Sequence, residues 1–93
     1  MNRNMMYEYL LSLKMYKIFR WADDRKSYHT EFRLNNDENQ TDCTIFTDWG
    51  FIRHVDSIHL CKNEIVIESK FSDMKINMFY RNIEKFEVKI EVD

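Results

Sequence analysis

Proline is absent from this chain of 93 residues, and glycine and alanine occur once each, as Gly50 and Ala22. A single glycine excludes every Gly-rich phosphate cradle, because such loops need bare backbone at several positions at once. Neither Gly-x-Ser-x-Gly nor His-Glu-x-x-His occurs, so the common hydrolase and zinc-protease signatures are missing. Two cysteines, Cys43 and Cys61, are too few for a disulfide framework. No apolar run approaches the ~20 residues that span a bilayer. Met1 to Lys14 lacks the charged, apolar and small-residue order of a secretory signal. The expected setting is cytoplasmic, with reduced thiols.

Isoleucine, lysine and asparagine take the place of the scarce small residues. Codons for glycine, proline and alanine are GC-rich, so the bias marks an AT-rich coding sequence. A low-GC bacterium, or a phage or mobile element living in one, is the expected source; for a phage protein the compartment is the host cytoplasm.

The remaining composition is that of a folded protein: 44% hydrophobic, 32% charged and 15% aromatic. The length fits one domain, residues 1–93, whose core is small relative to its surface. Net charge is −2, unevenly placed. Residues 1–26 carry +3, residues 27–50 carry −4, and residues 51–93 carry −1.

Alternation with period 2 dominates from residue 27 onward. Tyr28, Thr30, Phe32 and Leu34 form one row, and Cys43, Ile45, Thr47 and Trp49 another. Ile58 and Leu60, then Ile65 and Ile67, then Met74, Ile76, Met78 and Tyr80 follow. Phe86, Val88, Ile90 and Val92 against Lys85, Glu87, Lys89 and Glu91 close the series. A strand with one wet face produces such rows.

Lys62-Asn63 and Phe71-Ser72-Asp73 read as short turns, with Asn63 suited to a positive φ. Gly50 marks a sharp turn or bulge where a side chain would clash. The polar run 35–40 reads as a loop joining a hairpin over 27–49. Residues 4–13 fit a helix capped by Asn2 or Asn4, but Tyr7, Tyr9, Leu11, Leu13 and Met15 also alternate as in a strand; the expected layout is a helix or helical turn over 4–13, followed by a strand near 14–21.

These signals predict an α+β, β-dominated fold. A short N-terminal helix and first strand (1–26), the hairpin with its acidic loop (27–49) and an antiparallel meander (50–93) make 5–6 strongly bent strands. Such a sheet forms a small barrel or half-barrel. SH3-type, Sm-type and PH-like sheets share this coarse layout; no diagnostic motif selects among them.

Cys43, His54, His59 and Cys61 are the residue types zinc prefers. Their spacing lacks any Cys-x-x-Cys pair, so no metal or other cofactor is expected, and the thiols read as small apolar side chains. Any of these pairs could be drawn as a nucleophile and base, but nothing in the chain orients them. The expectation is therefore a non-catalytic chain.

Two binding roles remain. One is a protein-binding module, such as an inhibitor encoded by a phage or mobile element against a host defence machine. Its contact residues would be Asp37, Glu38, Asp42 and Asp48, placed into a basic, nucleic-acid-binding groove of the partner, with Tyr7 and Tyr9 as further partner-binding residues. The alternative is a nucleic-acid-binding small barrel using Lys14, Tyr16, Lys17, Arg20 and Trp21, where cations neutralise phosphates and aromatics stack on bases. Against that stands a pI near 5.9, low for such a domain. A homodimer is expected through the last strand, 85–92, whose edge no later element covers.

Overall fold

The computed structural model describes residues 1–13, 16–22, 27–33, 41–71 and 75–92; over 16–22 and 27–29, and at 41 and 92, it describes the backbone alone. The chain is α+β and dominated by strands.

Helix α1 runs from Arg3 to Ser12. Asn2 starts it: the residue is extended, and its Oδ1 accepts from the Met5 N–H at 2.9 Å, supplying one of the partners a helix start lacks. Met6 and Leu10, four apart and so on one face, are fully buried.

Eight strands follow among the described residues. They are β1 (Tyr16–Ala22), β2 (Ser27–Arg33), β3 (Thr41–Thr47) and β4 (Gly50–Ile52), then β5 (Val55–Leu60), β6 (Glu64–Ser69), β7 (Lys75–Phe79) and β8 (Phe86–Val92). A 3-10 turn at Tyr80–Asn82 precedes β8. The strands make two antiparallel sheets, ordered β1-β2-β5-β6-β7 and β4-β3-β8. Neither closes into a barrel among the described residues.

This corrects the single bent meander. β2 pairs with β1 and β5, whereas β3 pairs with β4 and β8, so 27–49 is not a hairpin and its two strands belong to different sheets. Alternation reports which face of a strand is apolar and carries no information about its neighbour. Residues 50–93 are likewise divided: β5, β6 and β7 form a meander, while β4 and β8 flank β3.

The helix joins the sheets. Met6 and Leu10 enter one buried cluster with Phe32, Ile58, Leu60, Ile65 and Ile67 of the first sheet and Cys43, Ile45, Phe86 and Val88 of the second. Tyr7 meets Phe32 edge-on at 6.0 Å, and Tyr9 meets Phe86 at 6.3 Å. The Val88 N–H donates to the Tyr9 hydroxyl at 2.9 Å. β8 is an edge strand, as its sequence suggests, but one of its amides is thereby taken by the helix.

The β3–β4 hairpin turns on Asp48 and Trp49, with Thr47 opposite Gly50. Gly50 has φ +129, and a Cβ there would meet nothing within 4 Å. The glycine is needed for its backbone conformation, which side-chain-bearing residues rarely adopt, and not to avoid a clash. The Asp48 carboxylate accepts from the Glu84 and Lys85 amides, and the Trp49 indole N–H donates to the Asn82 carbonyl. The turn is thus fastened to the start of β8. Asn63 does not take a positive φ; among the described non-glycine residues His54 does, at φ 55.

Candidate functional site

The first polar constellation is made by an irregularity in β5. Val55 pairs with Ser69 but Ser57 pairs with Glu68, so Asp56 is an extra residue, a bulge. A bulge reverses which face later side chains occupy. Val55, Ile58 and Leu60 therefore all reach the core, while Ser57 and His59 stand beside Arg33 and Glu31 of β2, with which they are in register.

Glu31, only 3% exposed at its side chain, accepts from Arg33 Nη2 at 3.2 Å; Arg33 Nε stands 3.1 Å from its Oε2 without hydrogen-bond alignment. Arg33 Nη1 donates to Asp56 at 3.2 Å. Hydrogen bonding to Glu31 holds the Arg33 guanidinium above its ordinary pKa, against the opposing effect of burial. His59 Nδ1 is 3.5 Å from Glu31, and its Nε2 is 2.9 Å from Ser57 Oγ.

Serine, histidine and carboxylate in that order resemble a hydrolytic triad. The hydroxyl, however, has two acceptors within reach of its one proton, His59 Nε2 at 2.9 Å and Glu68 Oε2 at 3.3 Å, so the imidazole is not its sole partner. Ser57 is also fully buried, out of reach of a substrate. The arrangement satisfies buried polar groups and locks three strands together.

The second constellation is open to solvent. On the outer face of the three-stranded sheet, Phe46 and Phe51 pack at 6.1 Å and are 41% and 58% exposed. The Arg53 guanidinium covers Phe51 at 5.1 Å. A shallow groove here is lined by Asp42, Thr44, Phe46, Phe51, Arg53, His54, Lys89 and Glu91. His54 sits in the two-residue link between the sheets. Its Nδ1 is 3.0 Å from Asp42 Oδ1, and its ring meets Phe71, 78% exposed, at 5.1 Å. Its carbonyl accepts from the Lys70 N–H at 2.7 Å. A left-handed conformation costs a β-carbon-bearing residue about 1–2 kcal/mol, and these contacts hold it.

The sequence-derived site residues divide accordingly. Asp42 belongs to the open face. Asp48 is a turn fastener, its pKa held below the ordinary carboxylate range by the Glu84 amide, partly offset by desolvation. Tyr7 and Tyr9 are half-buried against the core. Asp37, Glu38 and Lys14 lie outside the described residues, as do the side chains of Tyr16, Lys17, Arg20 and Trp21 on β1.

Cys43, His54, His59 and Cys61 are distributed among different surroundings. Both cysteines are buried thiols, and burial pushes Cys43 up to about 12, far from a reactive thiolate. His54 is on the open face and His59 in the buried network. Among the described residues no group of three His, Cys, Asp or Glu side chains is placed to hold a metal ion. No described helix is long and apolar enough to cross a membrane.

Phe46, Phe51 and Phe71 were not selected from sequence. Phe46 does break the β3 alternation by standing on the face opposite Cys43 and Ile45, which is the one signal the chain offers. Comparison with protein-family models, curated proteins and solved structures finds no match.

Proposed function

We propose that this chain is a small, non-catalytic protein-binding module acting by stoichiometric contact, and that the Phe46–Phe51 face is where it binds. The observation that carries this is three phenylalanines left open beside a rim of charges already arranged in pairs. An apolar centre with a polar rim is the anatomy of a protein interface, and aromatic anchors contribute most of the energy there. Retained strain at His54, with its imidazole against Asp42, fits a surface kept for contact.

The partner suited to this face is a protein with an apolar pocket flanked by basic groups. Asp42, Glu87 and Glu91 make the described face acidic on balance against Arg53 and Lys89, and Asp37 and Glu38 come a few residues before β3 in the sequence. A basic nucleic-acid-binding protein of a host cell offers such a groove, and inhibition by a phage or mobile-element protein is the role this implies.

The test is capture from a low-GC bacterial lysate with the parent, with Phe46→Asp/Phe51→Asp and with a control, Lys75→Glu, at an exposed position away from that face. A partner retained by the parent and control and lost by the face variant, with an unchanged melting temperature, supports the reading. Equal capture by the face variant overturns it.

A further inference from the structure

We propose that a second site, on the side of the molecule where α1 begins, binds a phosphorylated nucleoside. A cleft of roughly 550 Å³ opens there, lined in part by Asn2, Arg3, Lys62, Asn63, Phe79 and Arg81. That volume is typical of small-molecule sites.

Three cationic side chains reach this cleft from three elements far apart in sequence: the first turn of α1, the β5–β6 turn and the 3-10 turn. Among the described residues no carboxylate lines it; Glu64 stands opposite Phe79 in the strand register without being part of the wall. Like charges gathered without an opposing one repel, and a concave site of one sign concentrates ligands of the other.

The two arginines are held by neutral partners. Arg3 donates to the Thr30 hydroxyl at 3.3 Å and lies 5.9 Å from the Tyr7 ring centre. Arg81 covers Phe79 at 5.2 Å. The buried Tyr80 hydroxyl donates to the Cys61 carbonyl at 2.7 Å, holding the 3-10 turn against the β5–β6 turn. Arg81 and Lys62 therefore stand on one rigid wall. The Met5 amide is already satisfied by Asn2, so the helix start adds little to the charge of the three side chains.

Phosphate suits this set better than a lone carboxylate. Arginine presents a planar fork to phosphate oxygens and lysine a compact charge. The half-exposed Phe79, with Arg81 on its face, gives a base a surface to stack on. Asn2 and Asn63 add amide donors and acceptors. This mode needs no glycine loop, so it is compatible with a chain holding one glycine. The phosphate could belong to a free nucleotide or to the 5′ end of a nucleic acid.

Calorimetry on the full chain at low salt distinguishes these, using ADP, adenosine, and a thymidine trinucleotide with and without a 5′-phosphate. At least one phosphorylated probe is expected to bind with Kd below about 1 mM, at least tenfold tighter than its unphosphorylated counterpart; which one binds identifies the source. Lys62→Glu/Arg81→Glu, both at exposed positions, should lose that binding with an unchanged melting temperature. If the double variant misfolds, Lys62→Gln alone should weaken binding severalfold. Failure of both phosphorylated probes, equal binding without phosphate, or full affinity in a folded charge variant overturns the proposal.

Discussion

Glu31 is buried and Arg33 is one-third exposed, and that difference sets what each removal costs. Arg33→Met leaves a buried carboxylate without its guanidinium, which costs about 3 kcal/mol. Glu31→Gln leaves a partly solvated cation that still has Asp56, and should cost nearer 1 kcal/mol. Urea denaturation of both variants checks the order; a larger loss from Glu31→Gln would contradict it. Asp48 acts differently. Its folded pKa is lowered, so its contribution is complete above the unfolded carboxylate value near 4 and disappears as pH falls through the folded one. Melting temperatures measured from pH 6 to pH 2 should fall more steeply for the parent than for Asp48→Asn. At this scale the sequence was only partly legible. Asp48 is recognisable as a turn residue, but its attachment to the Glu84 and Lys85 amides depends on β3 and β8 being neighbours.

Among the elements, β8 shows how the helix and an edge strand depend on each other. Edge strands pair readily with other chains unless something occupies them. Tyr9 occupies the Val88 amide, opposing the self-association that the sequence of β8 invites. Tyr9→Phe removes the acceptor, keeps the ring against Phe86, and should raise the concentration-dependent mass seen by light scattering while costing about 1 kcal/mol of stability. An unchanged mass at every concentration would show that Tyr9 does not guard the edge. The helix and nearly all of the strands were legible, because burial on one face imposes a period of 3.6 or 2 on the residues themselves. β4 escaped because three residues are too few to show a period. The bulge at Asp56 escaped too, although it decides that Ser57 and His59 face Glu31 and Arg33: an inserted residue looks like ordinary sequence until its partner strand is known.

For the molecule as a whole, the open question is which surface works. The face built on Phe46 and Phe51 continues in sequence into the acidic residues Asp37 and Glu38. Reversing both to lysine should leave the circular dichroism spectrum unchanged and should abolish capture of the partner. Capture at parental level would remove the acidic residues from the interface. This face could not be read from the chain, because an exposed phenylalanine and a core phenylalanine are the same letter and only the division into two sheets separates them. That division also has a consequence for how the protein is made. The helix is synthesised before the strands it packs on, yet its contacts reach Val88. Met6 and Leu10 therefore have no complete core to enter until β8 has emerged, and the nascent chain carries an unsheltered apolar helix while all eight described strands are made.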